Sequence, residues 1–237
     1  MPDSISHPPP ALTPVISTKD LTQTDLEGIA RIHIESFADS AWTKLGFQVV
    51  KQYYDWQLTG PHPHVLAKGV YLDGEFVGFC IAGVFKGSTM GFIWNNRFLL
   101  AGKIILKPWL LLGATFRQSF LSGYRLLKKY SPDKLTKSRE AKSFGILALA
   151  THPKYQSYGI GRLLMQEAEK EAFSTGFKKM HLTVNPANTK AVNFYAKQNW
   201  EKVLVDNRWK GAMKKTLSLG LISLISFIQN NSNSAIL

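Results

Sequence analysis

Cysteine is nearly absent from this sequence: Cys80 is the only one among 237 residues. An intrachain disulfide is therefore impossible, and the composition fits the reducing cytoplasm. Cys80 lies in the apolar run 77–84, which is typical of a buried strand residue rather than of a nucleophile. A metal site lacks support as well, because His62 and His64, the only close histidine pair, have no cysteine or carboxylate cluster beside them. We expect a cytoplasmic protein without a metal.

Acidic residues are scarce in the middle of the chain. Residues 86–142 carry 12 basic and 2 acidic side chains, whereas residues 1–85 have a net charge of −4. Most of the overall charge of +13 therefore comes from one segment, which is also rich in large apolar side chains. This composition predicts a local anionic partner, and it suits a helix lying peripherally on a membrane. Helices that cap the core with lysines facing water are the alternative.

The same segment does not resemble a nucleic-acid platform or a membrane span. Its aromatic residues sit within apolar runs rather than between charges, so nucleic-acid binding is not expected. Lys103, Lys107 and Pro108 interrupt the apolar stretch 98–112, which argues against a span and predicts a pair of helices broken near Pro108. A basic helix should follow over residues 124–130.

Both ends of the chain lack the patterns of a folded domain. Residues 1–14 contain three consecutive prolines but neither a basic start nor an apolar run, which predicts a disordered lead-in rather than a secretory signal. Residues 217–237 form a tail, and its apolar run 217–228 is too short to cross a bilayer. The domain should therefore occupy residues 15–216, interrupted by the insert 86–142.

Helical and strand periodicities alternate along this domain, which predicts an α/β fold. We expect a helix from Asp25, as its N-cap, to Phe37, and a hairpin turn at Asp73-Gly74, where both residues tolerate a positive φ. The remaining predicted elements are a helix over 44–57, strands over 65–72, 75–85 and 144–150, a helix from Gly159, a strand over 180–184, a helix over 188–198, and strands over 202–205 and 209–216.

The stretch from Leu149 to Arg162 is the most informative in the sequence. A buried strand runs into a loop, and Gly159 and Gly161 open the next helix. This order aims unpaired backbone N–H groups and the positive end of a helix dipole at one point, which makes an anion site suited to phosphate. The two glycines would let a phosphate approach the main chain closely. A tight strand-to-helix turn without a ligand is the alternative.

Two motifs in this half of the chain resemble those of the GNAT superfamily of N-acetyltransferases. The motif Q/R-x-x-G-x-G/A, placed after a strand and a proline, is matched by Gln156, Gly159 and Gly161. A second block of asparagine, alanine and tyrosine is matched by Asn188, Ala191 and Tyr195. The resemblance covers residues 143–200 and implies the GNAT fold, a mixed sheet of about six to seven strands flanked by helices, here with a basic helical insertion.

The resemblance also implies acyl-CoA as co-substrate, no metal, and a role for particular residues. The pyrophosphate would rest on the motif loop, the acyl-pantetheine would pair with the edge of the preceding strand, and Asn188 would contact the cofactor arm. The implied binding residues are Leu149, Ala150, Thr151, Gln156, Ser157, Tyr158, Gly159, Ile160, Gly161, Arg162 and Asn188.

For catalysis, the resemblance implies direct attack of an amine on the thioester, with a backbone N–H near Thr151 stabilising the oxyanion. Tyr195 would give a proton to the leaving thiolate, although packing of its ring is the alternative. Thr183 stands where some relatives that acetylate protein N-termini carry a glutamate, and it cannot act as a base. His181, on the same strand face, and Glu35, late in the first helix, are the candidate bases.

The leading hypothesis is therefore an N-acetyltransferase that moves an acetyl or short acyl group from acyl-CoA to a primary amine, either small or lipid-linked. The alternative is a CoA-binding regulatory or membrane-associated module without turnover. The sequence leaves the acceptor, the acyl chain length and a homodimeric assembly open.

Overall fold

Seven strands of a single mixed sheet form the framework of the molecule, whose computed structural model describes residues 14–85, 87–113, 116, 117, 121 and 144–218. The strands are β1 (Ile16–Asp20), β2 (Val65–Leu72), β3 (Glu75–Gly83), β4 (Phe144–Thr151), β5 (Lys179–Thr183), β6 (Glu201–Val205) and β7 (Arg208–Thr216). Their order across the sheet is β1-β2-β3-β4-β5-β7-β6. Only β4 and β5 run parallel, and every other neighbouring pair is antiparallel. The α/β class and the mixed sheet predicted from the sequence are confirmed.

Helices cover both faces of the sheet. They are α1 (Leu26–Ser36), α2 (Ala41–Leu45), α3 (Phe47–Thr59), α4 (Ser88–Asn95), α5 (Arg97–Leu106), α6 (Ile160–Ser174) and α7 (Thr189–Ala196). Buried residues of α6 and α7 pack with Cys80, Phe144 and Met180 on one face. Buried residues of α1, α3, α4 and α5 pack with Phe79 and Ile81 on the other. Strand alternation therefore gives each face its own apolar core.

The first helix begins differently from the prediction. Asp25 holds the N-cap position of α1, as predicted, but its side chain makes no capping bond there; Thr22 caps a short 3₁₀ turn (Gln23–Asp25) that runs directly into α1. The carboxylate of Asp25 accepts a hydrogen bond of 2.8 Å from the backbone N–H of Thr22, which completes a capping box. Thr22 and Asp25 are spaced as this motif requires, so the polar residue three positions upstream was the signal that the prediction missed.

The predicted helix over 44–57 is two helices, because Gly46 has a φ of +112° and ends α2 before α3 begins. The strand predicted over 75–85 ends at Gly83, where a Cβ would lie only 2.0 Å from the carbonyl oxygen of His64. The hairpin turn at Asp73-Gly74 is confirmed, since both residues have a positive φ.

The first part of the predicted insert is helical and breaks at the proline. Helix α5 ends at Leu106, and Pro108 opens a separate 3₁₀ turn (Pro108–Leu112). The predicted helix over 124–130, residues 1–13 of the predicted lead-in and residues 219–237 of the tail lie outside the described residues. Within the described ranges, no helix combines the length and apolar character needed to cross a bilayer.

Candidate functional site

The loop between β4 and α6 turns its main chain outward. It starts with a short 3₁₀ turn (Pro153–Tyr155), whose backbone N–H at Lys154 donates to Nδ1 of His152 over 3.2 Å. Ser157 and Gly159 then adopt left-handed conformations, with φ of 76° and 80°. Only a glycine takes this conformation without strain, and a Cβ at Gly159 would meet nothing within 4 Å. Glycine at 159 therefore serves the backbone geometry and leaves the space above it open.

Six successive backbone N–H groups of this loop, at residues 157–162, make no hydrogen bond to any other described residue. The first N–H of the helix to find a partner is that of Leu163, which donates to the carbonyl of Gly159. Exposed donors at the start of a 15-residue helix carry the positive end of its dipole. The unpaired main-chain donors that the sequence predicts at this turn are therefore present, and we call residues 157–162 the cradle.

Beside the cradle, the sheet splits. β4 pairs with β5 only at Phe144 and Gly145, so residues 146–151 have no ladder partner on that side. A register shift opposite Ile81 and Ala82 leaves Leu147 as an extra residue in β4, and such a bulge bends the strand. The result is an open strand edge that ends one short 3₁₀ turn before the cradle.

Leu149 and Thr151 turn their backbone groups toward this gap. The N–H of His152 donates to Val77 on β3, so by alternation the groups of Thr151 and Leu149 point the other way. Ala150 differs from the prediction: its carbonyl faces Gly78 on β3 and its side chain is buried against the helices on the α1 face. Ala150 therefore offers the gap no group.

Side chains tie the loop to its surroundings. The amide nitrogen of Gln156 lies 3.4 Å from the carbonyl of Thr151, and the amide oxygen accepts from Lys190 Nζ over 2.6 Å. Lys190 belongs to the first turn of α7, so this one glutamine links the strand end, the loop and the second motif. Lys190 was not among the predicted residues, because no local pattern connects positions 34 residues apart.

Two motif residues have structural duties that the sequence analysis did not assign. A Cβ on Gly161 would lie 3.3 Å from the ring of Phe194, so this glycine allows α6 and α7 to pack closely. Asn188 is the N-cap of α7, and its side-chain oxygen accepts from the N–H of Ala191 over 3.0 Å. This capping bond uses one lone pair of the oxygen, so Asn188 keeps the second lone pair and its amide N–H groups for a ligand. Ile160 is buried, whereas Tyr158 and Arg162 are exposed on the outer side of the cradle.

Tyr195 lies on α7 with its ring half-buried between Phe194 and Trp200. Its hydroxyl makes no hydrogen bond within the part of the chain that the structure describes. Burial, followed by the nearby Cys80 thiol, raises the pKa of Tyr195 above its usual value of 10. The phenol therefore keeps its proton at neutral pH, and it is a weaker acid than the sequence alone suggests.

His181 stands where the split begins. It pairs with Gly145, the last rung between β4 and β5, and a Cβ on Gly145 would lie 2.8 Å from its Nε2. The neighbouring residues Met180 and Leu182 belong to the core beneath α6 and α7, so His181 and Thr183 face the opposite side, as predicted. Burial lowers the pKa of His181 below 6.5, which keeps the imidazole neutral at pH 7.

Glu35 is at the other end of the gap. Its carboxylate lies 2.9 Å from Nε2 of His152, and the hydroxyl of the next residue, Ser36, donates to the carbonyl of Thr151 over 3.2 Å. Nδ1 of His152 accepts a hydrogen bond from the backbone N–H of Lys154, so the ring proton is on Nε2. The Nε2–H group donates a hydrogen bond to the carboxylate of Glu35. His181 and Glu35 are separated by the length of the gap, roughly 20 Å for six strand residues. A single amine cannot contact both.

The fold and the site together define a class: a mixed α/β sheet that opens at a parallel strand pair beside a main-chain anion cradle. Residues 116–200 match the family model described as the acetyltransferase (GNAT) family. The match begins inside the predicted insert, so the family-like region extends further toward the N-terminus than residue 143.

Similar solved structures share the fold over most of the chain. The PaiA N-acetyltransferase from Thermoplasma acidophilum, solved in complex with coenzyme A, has a TM-score of 0.53 at 17% identity, covering 86% of this chain and 99% of that one. An N-acetyltransferase from Staphylococcus aureus Mu50 has a TM-score of 0.52 at 10% identity, with coverages of 86% and 99%. The ribosomal-protein-S18-alanine N-acetyltransferase from Escherichia coli has a TM-score of 0.50 at 14% identity, with coverages of 84% and 91%.

No curated protein matches the sequence. The family model matches 85 of the 237 residues, and the solved structures share the fold of the chain.

Proposed function

We propose that this protein transfers an acetyl or other short acyl group from acyl-CoA to a primary amine by direct attack of the amine. The observation that carries the proposal is the succession of two features: the open edge of β4 ends at Thr151, and the free N–H groups at 157–162 follow it after one short 3₁₀ turn. One feature suits a pyrophosphate, and the other suits an extended chain bearing amide groups.

The surroundings of the cradle fit this ligand. Lys154 and Arg162 are exposed around it, and Lys190 is joined to it through Gln156. The positive charge complements a pyrophosphate, while the thioester would supply an acyl group that is activated toward amines. The coenzyme A bound to the Thermoplasma relative supports the same ligand class here.

Tyr195 is proposed as the proton donor to the leaving sulfur. Its hydroxyl has no hydrogen-bond partner among the described residues, and its raised pKa keeps the proton on the oxygen at neutral pH. A thiolate forming beside it would be more basic than a free thiolate in water, because the same burial penalises both anions. This matching allows the proton transfer although the phenol is a weak acid.

His181 is the better candidate for the general base. The cradle is at the Thr151 end of the gap, so a ligand anchored there by its pyrophosphate would extend along β4 toward His181. Glu35 sits beside the cradle itself and already accepts a hydrogen bond from His152. A neutral imidazole at pH 7 is ready to accept a proton from the attacking amine.

A cytoplasmic location is part of this proposal. The single cysteine, Cys80, is fully buried and reduced, as expected in a reducing compartment. Fractionation of cells that express the tagged protein would test this, and recovery in an oxidising extracytoplasmic fraction would contradict it.

The experiment that tests the transfer is thiol release from acetyl-CoA across protein, polyamine, amino-sugar and lipid amines. We expect steady release with at least one acceptor class and CoA binding at about micromolar affinity. Binding without release, for every amine, would instead favour a CoA-binding module without turnover. Loss of binding as well would contradict the assignment of the cradle.

A further inference from the structure

Five large apolar side chains lie in the open on α5 and the 3₁₀ turn after it. Phe98, Ile105, Leu106, Trp109 and Leu112 are each between 60 and 82% exposed, and we call them the apolar face. Helix α5 buries Leu100 against the α1–α3 core on its other side. A helix with one solvated side normally carries polar residues there, so apolar groups on both sides mark a contact surface.

The charged residues of the segment that carries this face have one sign. Residues 87–121 contain Arg97, Lys103, Lys107 and Arg117 and no acidic residue. The guanidinium of Arg97 lies 5.0 Å from the ring centre of Trp94 and 4.6 Å from that of Phe98, so a fixed cation stands among the exposed rings. Apolar groups bordered by cations suit a surface that is apolar inside and anionic at its boundary.

We propose that the apolar face docks on an anionic lipid bilayer. The side chains would enter the boundary between headgroups and acyl chains, and the surrounding cations would lie among the lipid phosphates and carboxylates. A second copy of the chain is a poorer occupant, because a two-fold contact would bring the same cations face to face. This proposal concerns a surface outside the cleft, by which we mean the gap between β4 and β5 together with the cradle at its end, and does not depend on turnover.

Docking would also bring the membrane close to the cleft. Helix α5 packs on α2, and Nζ of Lys107 donates to the carbonyl of Lys44 over 3.3 Å. Helix α2 follows α1, whose Ser36 contacts Thr151 at the end of β4. If the proposed transfer activity is correct, amphiphilic amines at the bilayer surface are therefore an acceptor class within reach.

The test is co-sedimentation of the full chain with vesicles, without acyl-CoA. Vesicles of phosphatidylcholine alone are compared with vesicles containing about 30% phosphatidylserine, at roughly 50 and 500 mM salt. We expect binding to the anionic vesicles that weakens at high salt. Negligible binding to them at low salt would overturn the proposal.

Matched variants locate the surface. The triple change Phe98→Ser, Ile105→Ser, Leu112→Ser should lower vesicle affinity by at least about 10-fold, since each side chain loses part of its burial energy. Its control removes three exposed apolar side chains at the sheet edges, through Val15→Ser, Leu204→Ser and Val205→Ser, and should bind like the wild type. Thermal unfolding and CoA affinity verify that both variants fold.

Two results would assign the face otherwise. If the triple variant binds vesicles as well as the wild type, another surface contacts the membrane and the proposal is wrong. Sedimentation velocity reports self-association in the same samples. If the wild type does not bind vesicles but forms a dimer, and the triple variant loses that dimer, the apolar face is an interface between copies of the chain.

Discussion

The surroundings of Tyr195 decide whether this side chain can play the role proposed for it. Its ring packs between Phe194 and Trp200, while its hydroxyl is left without a hydrogen-bond partner in the described structure. Packing accounts for an aromatic ring at this position, but it does not account for a hydroxyl on that ring. A tyrosine that only packed would be replaceable by phenylalanine.

Tyr195→Phe should lower turnover by on the order of ten- to a thousand-fold and leave CoA affinity nearly unchanged. The ring remains and only the transferable proton is lost. Steady-state thiol release and a direct CoA titration measure the two quantities. Tyr155→Phe is the control, because it removes a phenol hydroxyl that bonds Glu75 at the surface. Equal turnover in Tyr195→Phe and Tyr155→Phe would leave Tyr195 as a packing residue.

His181 should set the acid side of the pH profile. Because burial lowers its pKa, activity should rise with pH through a midpoint below 6.5, whereas the sequence alone suggests a rise over roughly pH 6–8. In His181→Gln this rise of activity with pH, the acid limb of the profile, should disappear, and turnover should fall. The profile of kcat/KM in Glu35→Gln separates the two candidates: if that variant loses the limb while His181→Gln keeps it, the base is Glu35.

At the scale of elements, the cradle depends on one left-handed residue at the start of α6. Gly159 has a φ of 80° with open space where a side chain would stand. Gly176, after the same helix, has a φ of 85° and equally open space. The two glycines therefore share the same backbone demand and differ only in their distance from the cradle.

Gly159→Val should weaken CoA binding by at least about 10-fold, because a branched side chain resists the left-handed conformation and occupies the approach to the N–H groups. Gly176→Val introduces the same strain at the far end of α6 and should keep the affinity. Calorimetric titration of both folded variants measures the difference. Unchanged affinity in Gly159→Val would remove the cradle from the cofactor site.

Local patterns predicted the helices and strands well and the boundaries between them less well. The Asp73-Gly74 turn, the break at Pro108 and the glycine-led start of α6 follow from backbone preferences of one or two residues. The break at Gly46 was missed, because glycine is also tolerated inside a helix at a cost of about 1 kcal/mol. Which outcome occurs depends on packing against other elements.

At the scale of the whole molecule, a buried histidine couples stability to pH. His33 on α1 shares hydrogen bonds with the hydroxyls of Tyr54 and Ser40, over 2.8 and 3.0 Å, and burial lowers its pKa to about 4. The unfolded chain therefore binds a proton at His33 more readily than the folded one. The contribution of neutral His33 to the free energy of unfolding is complete above pH 6.5 and is lost as the pH falls toward 4.

The free energy of unfolding should drop by about 3 kcal/mol from this histidine alone between pH 7 and pH 4. Urea unfolding at several pH values gives the free energy of unfolding as a function of pH. The contribution of His33 is the difference between the slopes of these curves for the wild type and for His33→Gln. Parallel curves for the wild type and His33→Gln would show that His33 does not titrate on unfolding.

The sequence by itself determined the parts of the site that neighbours along the chain can build. A strand, a proline, a left-handed glycine and a helix start suffice to expose the N–H groups of residues 157–162, because each conformation depends on adjacent residues.

Tertiary structure alone decided which distant groups meet there. Glu35 pairs with His152, Lys190 binds Gln156, and β4 separates from β5. In each case the residues involved are far apart in the chain. Such contacts are set by how the helices pack on the two faces of the sheet, and no local pattern encodes that packing. The exposure of the apolar face belongs here too, because composition places apolar residues in the insert, but only the packing of α5 leaves Phe98 and Ile105 outside.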